Sequence, residues 1–276
     1  MSGGADLAAR VAATRWYHTI DLGGGVVTPG WFDTRATLAK VPLPASLSGL
    51  RCLDVGTWDG FWAFEMERRG AASVTAIDID DQERWDWPPA MRVARAAEDS
   101  RRYVEDFKAG SAGFALAREA LGSWVERLDL SVHDLSPQRV GTFDLVFLGS
   151  LLLHLRDPVG ALDAVRSVCA GEAVIADAVD AIPSFTRPRT PTARLEGIER
   201  PWWWQPNRTG LHQMVRSAGF EILEATGVYV LPRGVAHPPI EWRELLREAG
   251  TAAGREQLIV AWKGLPHAAV RARPRI

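Results

Sequence analysis

Carboxylates and glycines alternate in the run Asp54-Val55-Gly56-Thr57-Trp58-Asp59-Gly60. Gly56 and Gly60 allow the backbone to turn tightly and to approach a ligand closely. A pyrophosphate at this turn would meet Asp54 and Asp59 where it needs positive potential, and the glycine spacing differs from the G-x-G-x-x-G pattern of dinucleotide sites. A ligand that carries a positive charge suits these residues better.

The elements around this run form one βαβ unit. Leu50, Leu53 and Val55 predict a strand before the turn. The next residues predict a helix with a buried aromatic side, which Gly70 ends. A second strand over residues 74–79 brings Asp78 to its carboxyl end, where one carboxylate can accept two neighbouring hydroxyl donors at once. Ordinary capping at a strand end is the alternative explanation of these acids.

The run resembles the first motif of the class I S-adenosylmethionine (SAM) methyltransferases, acid-x-Gly-x-Gly-x-Gly, with Trp58 in place of the middle glycine. The resemblance implies an α/β fold, a Rossmann-like seven-stranded methyltransferase sheet with helices on both faces. It implies SAM as cofactor and S-adenosylhomocysteine as product. Aromatic rings such as Trp58 also suit the positive charge of a sulfonium.

The resemblance assigns cofactor contacts to four stretches of the chain. Asp78 with Ile79 would bind the ribose, and Asp134 with Leu135 would bind the adenine. Gly149 and Ser150 follow the fourth strand and would lie beside the cofactor, because strand ends line the ligand crevice in such sheets. The remaining contacts belong to the glycine run: Asp54, Gly56, Thr57, Trp58 and Gly60.

His154 is the first candidate for a general base. It falls about one turn into the helix expected after the strand over residues 143–148, within FDLVFLGSLLLHLRDP. A histidine there titrates near neutral pH and can reach a substrate hydroxyl. The run resembles methyltransferases that carry a histidine and an Asp-Pro pair at this place. His18 is the second candidate, and a histidine bonded to a local carbonyl is the alternative for His154.

Aromatic residues gather in two segments that flank the nucleotide unit. Residues 1–45 are predicted to form an N-terminal aromatic segment, which either packs under the sheet as a small hairpin or roofs the site. Residues 181–210 are predicted to form a substrate cap that resembles the tRNA wobble-uridine methyltransferases and their relatives. The predicted substrate-binding residues are Trp16, Tyr17, Trp31, Trp204 and Arg208.

The rest of the chain is divided between core and tail. Pro42 and Pro44 predict a linker into a SAM-binding core over residues 46–180, with residues 91–127 mostly helical. Residues 211–264 are predicted to complete the sheet, with strands over 220–230 and 257–263 joined by a helix over 241–249. Residues 265–276 are predicted to be a frayed basic tail. Further strands are expected at 128–132, 143–148 and 172–178.

Composition limits the remaining function classes. The 276 residues are 47% apolar, which suffices for a core, and the formal net charge of −2 provides no overall attraction for nucleic acid or an anionic membrane. Cys52 and Cys169 have neither disulfide nor metal spacing, so no metal is predicted. Without a spanning or signal segment, we expect a cytoplasmic protein with no membrane partner.

Three functions remain open at this point. The favoured one is O-methylation of a small or medium natural product, such as a sugar or an aromatic ring, enclosed by the tryptophan-rich segments. The first alternative is methylation of the wobble uridine of a tRNA, which the family resemblance suggests. The second alternative is a degenerate SAM-binding module without catalysis, favoured by Trp58 in the glycine run. The sequence leaves the oligomeric state undetermined.

Overall fold

The strands belong to one large sheet and two small ones. The structure, a computed structural model, describes residues 2–96, 110–198, 202–237, 239 and 242–275. In chain order the strands are β1 (Trp16–His18), β2 (Gly30–Phe32), β3 (Arg51–Val55), β4 (Ser73–Asp78), β5 (Glu126–Asp129), β6 (Phe143–Gly149), β7 (Cys169–Ala178), β8 (Ala193–Leu195), β9 (Trp204–Pro206), β10 (Phe220–Ala225), β11 (Tyr229–Leu231) and β12 (Leu265–Pro274).

The helices cover both faces of the large sheet. They are α1 (Ser2–Ala13), α2 (Phe61–Arg68), α3 (Pro89–Ala96), α4 (Gly110–Leu121), α5 (Pro137–Val140), α6 (Pro158–Val168), α7 (Ala181–Thr186), α8 (Arg208–Ser217), α9 (Trp242–Glu248) and α10 (Ala252–Lys263). None of the helices in the described part of the chain is long and apolar enough to cross a membrane.

The large sheet has eight strands, seven of them in the order β10-β12-β7-β6-β3-β4-β5, while β11 pairs with β12. Five neighbouring strands, β7, β6, β3, β4 and β5, are parallel to one another. β12 runs antiparallel to both β7 and β10. The chain leaves β3 toward β4 on one side and returns to β6 on the other. This is a topological switch point, where the carboxyl ends of neighbouring strands form a crevice.

The core lies on both faces of the central strands. Parallel strands covered on both faces are apolar along their whole length, and β6 and β7 contain such runs. On one face α6 and α8 contribute Leu162 and Leu211, both fully buried. On the other face α2 and α4 contribute Met66 and Phe114. The two layers hold the crevice-lining strand ends in place.

The end of the chain differs from the sequence prediction. Residues 257–263, predicted as the last strand, belong to α10, and the predicted basic tail 265–276 contains β12, whose residues from Leu265 to Val270 are buried. Arg271 forms ion pairs with Glu172 and Glu224 across neighbouring strands. The arginines therefore mark a charged rim of the sheet, which a linear pattern cannot distinguish from a solvated tail.

Smaller differences concern the segments on either side of the nucleotide unit. The predicted linker at Pro42 and Pro44 is packed, because Val41, Leu43 and Leu47 are buried. The predicted helical region 91–127 contains α3 and α4, while residues 97–109 lie outside the described ranges. The third parallel strand is β5, which starts and ends earlier than the predicted 128–132.

β1 and β2 of the N-terminal segment pair in parallel, while Asp21 and Val27 form an antiparallel bridge around the glycine turn, so the predicted small hairpin is confined to the loop between the two strands. The loop between them contains the glycine turn over residues 23–25, and α1 precedes the pair. Trp16 is 2% exposed, lies in the core, and its Nε1 donates to the carbonyl of Val11 at 3.0 Å. Trp16 was predicted to bind substrate, and the structure places it among core residues instead.

Candidate functional site

The turn after β3 has the backbone shape that the glycine run predicts. Gly56 has a φ of +75°, and a Cβ there would stand 3.1 Å from the side chain of Leu151. Trp58, at the position of the missing glycine, adopts a left-handed φ of 51°. Such a conformation costs a residue with a Cβ about 1–2 kcal/mol. The tryptophan is thus held in a conformation that favours glycine.

Asp54 has a buried carboxylate with unused hydrogen-bonding capacity. Its Oδ2 and the Oγ1 of Thr57 are buried without a hydrogen-bond partner among the described residues. Burial raises the pKa of Asp54 to about 7, an effect that Thr57 and His18 oppose. An unsatisfied buried acceptor is costly unless a donor occupies the site, and a cationic donor would restore the ionised form.

Asp78 orders the turn from the neighbouring strand. Its Oδ2 accepts the N–H of Trp58 at 2.7 Å, and its Oδ1 accepts the N–H of Ile79 at 2.8 Å. Burial raises the pKa of Asp78, and these two N–H groups oppose the shift. Because each carboxylate oxygen accepts more than one hydrogen bond, Asp78 retains capacity for two hydroxyl donors.

Asp59 ties the N-terminal segment to the glycine turn, a role that the sequence did not indicate. This fully buried carboxylate accepts the backbone N–H groups of Tyr17 and His18, each at 2.8 Å, and contacts Nδ1 of His18. The His18 ring stacks on Phe61, with 5.4 Å between centroids. The pairing brings β1 to the carboxyl ends of the central strands.

An aromatic cluster, formed by Tyr17, Trp31, Trp58 and Trp85, follows from this tether. The ring centroid of Tyr17 lies 6.3 Å from that of Trp31 and 5.7 Å from that of Trp58. Trp58 in turn lies 5.8 Å from Trp85, which follows β4. Rings in this arrangement provide apolar walls and faces that attract a cation.

The ends of β6 and β7 form the opposite side of the site. Ser150 follows Gly149 with a φ of 52°, and its Oγ lies 2.9 Å from Nε2 of His267 on β12. Asp177 on β7 accepts the N–H groups of Leu151 and Leu152 at 2.9 and 2.7 Å. Burial raises the pKa of Asp177 to about 6, and the backbone N–H groups oppose the shift. The sequence did not identify Asp177 or His267, because the role of Asp177 requires the pairing of β7 with β6, and that of His267 requires the position of β12.

The predicted cap contacts the segment that carries His154. His154 ends the 3-10 turn Leu152–His154 and is partly buried, whereas α6 begins only at Pro158, so the prediction of one helical turn was wrong. The N–H of Trp203 donates to the carbonyl of Leu153 at 2.7 Å. Trp204 donates from Nε1 to the carbonyl of Arg156 at 3.1 Å. Residues 199–201 of the cap lie outside the described ranges.

Two predicted binding residues have other partners in this structure, Asp134 through its side chain and Arg208 through its backbone N–H. Asp134 is exposed in the 3-10 turn Val132–Asp134, and its carboxylate lies 3.6 Å from Arg139 and 4.0 Å from Arg84, while Leu135 is buried. Arg208 starts α8, and its N–H donates to Oγ of Ser184 at 2.9 Å. Their predicted ligand contacts remain predictions.

The residues at the turn fit a cationic nucleoside cofactor. The unpartnered Oδ2 of Asp54 matches an ammonium group, the acceptor pair of Asp78 matches a ribose diol, and the aromatic cluster matches a sulfonium. No group of three or more His, Cys, Asp or Glu side chains suitable for a metal ion occurs in the described ranges.

Comparisons with known proteins identify similar methyltransferases. The family model of the methyltransferase domain matches residues 30–225. The tRNA U34 carboxymethyltransferase of Pseudomonas paraeruginosa is 28% identical over 187 residues, which are 66% of this chain and 48% of that protein. The chain therefore spans about half the length of this curated relative.

Two further similarities are more limited. The ribosomal protein L11 methyltransferase of Porphyromonas gingivalis is 44% identical over 52 residues, or 19% of this chain and 18% of that protein. A solved structure from Listeria monocytogenes, named as an S-adenosylmethionine-dependent methyltransferase, has a TM-score of 0.51 at 12% identity and covers 87% of this chain and 97% of that one. At this identity the likeness concerns the fold, a mostly parallel sheet with helices.

Proposed function

Because the chain belongs to the methyltransferase domain family, whose model matches residues 30–225, we propose that it transfers a methyl group from SAM to a hydroxyl of a small or medium-sized organic substrate. The observation that carries this proposal is the buried Oδ2 of Asp54, which has no partner among the described residues and lies in the glycine turn. A bound ammonium group would satisfy it.

The proposed cofactor contacts follow the geometry of the turn. Asp54 would bind the amino group of SAM, Asp78 its ribose hydroxyls, and Trp58 the region of the sulfonium. When bound, SAM would supply a methyl group already activated by the positive sulfur. The protein then has to position the acceptor oxygen and remove its proton. His154 is the candidate from the sequence for removing this proton.

Two arginines, Arg194 in the cap and Arg271 on the last strand, favour a small substrate because neighbouring acids neutralise them. Arg194 pairs with Asp180 and Glu196, each at 2.7 Å. Arg271 pairs with Glu172 and Glu224. Arginines neutralised by neighbouring acids attract phosphates weakly, whereas a tRNA enzyme needs many phosphate contacts. The aromatic cluster supplies apolar walls of the kind that enclose a small ligand.

The wobble uridine of a tRNA is the second candidate. The observation that favours it is the similarity, at 28% identity, to a protein named tRNA U34 carboxymethyltransferase. Aromatic rings also stack on bases, so the aromatic cluster is compatible with this substrate. The third candidate is a SAM-binding module without catalysis, in which the strained Trp58 would be the altered feature.

A labelling assay separates the three candidates. The protein is incubated with SAM labelled in its methyl group and, in parallel, with bulk unmodified tRNA and with a panel of glycosides and phenols. We expect label in a small acceptor, with little dependence on salt. Label in RNA that is lost steeply as salt rises would favour the tRNA enzyme. SAM binding by calorimetry without labelled product from any acceptor would favour the binding module.

A further inference from the structure

The end of β6 brings together residues from three distant parts of the chain. Ser150 follows β6 in a left-handed conformation, with a φ of 52°. Its Oγ lies 2.9 Å from Nε2 of His267 on β12. Ser150 also opposes the burial-driven rise in the pKa of the Tyr17 phenol, so the side chain of Tyr17, on β1, lies near Ser150. Strained residues of this kind are concentrated at functional sites, where the surrounding structure holds them in place.

The second ring nitrogen determines the tautomer of His267. Nδ1 lies 3.1 Å from the carbonyl oxygen of Leu265, and because a carbonyl only accepts, we assign the ring proton to Nδ1. Nε2 then has a free lone pair, and the hydroxyl of Ser150 donates to it. The oxygen of Ser150 keeps lone pairs that can accept a hydrogen bond from a further hydroxyl.

The side chains of His267 and Ser150 differ in their exposure to solvent. His267 is 2% exposed, whereas Ser150 is partly exposed at the carboxyl ends of the strands. A ligand in the crevice therefore reaches the imidazole through the serine. Ser150 also follows the strand next to β3, whose turn carries Asp54, so the pair lies on the side of the switch point opposite Asp78.

The ring of His267 is neutral at neutral pH because it is buried. Burial lowers the pKa of His267 to about 4. The ring of Tyr229, on β11, lies 5.9 Å away, and Asp177 precedes Ala178, the register partner of His267 on β7. Burial raises the pKa of both Tyr17 and Tyr229, so these phenols stay protonated. The acceptor lone pair on Nε2 is therefore available across the ordinary working range of pH.

We propose that Ser150 and His267 form a proton relay that accepts the hydroxyl proton of the substrate, an inference that rests on the proposed methyl transfer. The substrate hydroxyl gives its proton to Oγ of Ser150 as its oxygen is methylated, and the original Ser150 proton passes to Nε2 of His267. One positive charge is lost at the sulfonium and one appears on the imidazole, so the total charge of the site is unchanged. The proton returns to solvent through Ser150 once the product has left.

The variants Ser150→Gly and His267→Gln test the relay. Ser150→Gly removes the hydroxyl and suits the positive φ of this position, so we expect it to fold. Each variant should lower kcat at saturating SAM by ~10²- to 10⁴-fold, the usual loss when a positioned base is removed. The double variant should be no slower than the slower single variant. Because Ser150 is predicted to lie beside the cofactor, kcat is measured at saturating SAM, so that a change in SAM affinity does not enter the comparison.

A spectroscopic measurement tests the pair without turnover. Nitrogen-15 NMR of the His267 ring should show Nδ1 protonated and Nε2 unprotonated between about pH 5.5 and 8, and Ser150→Gly should shift the Nε2 resonance. The reverse tautomer, or a ring that becomes charged within this range, would overturn the proposal. A purely structural role predicts changed stability with an unchanged pH profile of kcat.

The outcomes also separate the relay from the proposed function. If the parent protein transfers no methyl group to any acceptor, the proposed function fails, while the NMR result still decides the geometry of the pair. An active parent protein whose Ser150→Gly variant keeps full kcat and the same pH profile contradicts the relay alone. A loss of ~10²- to 10⁴-fold in His154→Ala, with Ser150→Gly unaffected, would assign the base to His154 instead.

Discussion

Asp59 binds His18 twice, because its carboxylate accepts the backbone N–H of His18 at 2.8 Å and contacts Nδ1 of the same residue. The two residues lie on different elements, one in the glycine turn and one on β1. This contact makes the N-terminal segment a wall of the candidate site, and it determines where the ring of Tyr17 lies.

Asp59→Ala should destabilise the protein and release β1. The substitution leaves the N–H groups of Tyr17 and His18 without their acceptor, and a buried unsatisfied donor costs about 1–3 kcal/mol. Urea unfolding measures the loss, and hydrogen exchange at residues 16–18 locates it. Asp21→Ala is the matched control, since Asp21 is an exposed residue of the same segment that accepts only a local N–H. Equal stability of the two variants would contradict the tether.

Binding of SAM should release protons from Asp54. Burial raises the pKa of Asp54 to about 7, so the carboxyl of the free protein takes up a proton near neutral pH. A cationic ligand favours the ionised form and lowers this pKa, so affinity should rise from pH 6 to 8 and then level off. Calorimetry in buffers of different ionisation enthalpy measures the release. The difference between the parent protein and Asp54→Asn isolates the contribution of Asp54, and no difference would contradict its role.

Asp78→Ala should weaken SAM binding. Hydrogen bonds to a charged group contribute about 1.5–3 kcal/mol, which corresponds to a loss of ~10- to 150-fold in affinity. Because Asp78 also orders the turn through the N–H of Trp58, part of the loss reflects the turn itself. Asp163→Ala, which removes an exposed carboxylate on α6, should leave the affinity unchanged. Preferential binding of NAD by the parent protein would reject the cofactor assignment.

Trp58→Gly should be more stable than Trp58→Ala. Both variants lose the ring contacts with Tyr17 and Trp85, but only glycine adopts the left-handed φ of 51° without steric cost. The difference should be about 1–2 kcal/mol in the free energy of unfolding. Thermal and urea unfolding of the two variants provide the test. A more stable alanine variant would show that the turn relaxes once the ring is removed.

Deletion of residues 265–276 should prevent folding. The deleted segment contains β12, which pairs with β7, β10 and β11 and contributes Ala268, Ala269 and Val270 to the core at 0% exposure. Loss of far-UV circular dichroism and of soluble expression would show the effect. The control variant Arg273→Ala, also on β12, removes an exposed ion pair with Glu221 of β10. It should lower the free energy of unfolding by no more than about 1 kcal/mol. A folded deletion variant would contradict the observed sheet order.

The sequence alone identified the elements whose signals are local. The βαβ unit, its glycine turn and the position of Asp78 at the end of a strand were predicted correctly, because a strand, a turn and a helix that follow each other leave their pattern in adjacent residues. The family resemblance was confirmed by the family model that matches residues 30–225. The left-handed backbone at Trp58 was not predicted, although the family pattern places a glycine at that position.

Only the tertiary structure decided which distant residues meet at the site. The contact of Asp59 with His18 joins positions 41 residues apart, and that of Ser150 with His267 joins positions 117 residues apart. No local pattern records such pairings, because they depend on the order of strands in the sheet. The sequence suggested a solvated tail at residues 265–276, whereas β12 is inserted between β7 and β10. Burial on both sides then turned His267 from an apparent surface residue into a neutral hydrogen-bond acceptor beside the crevice.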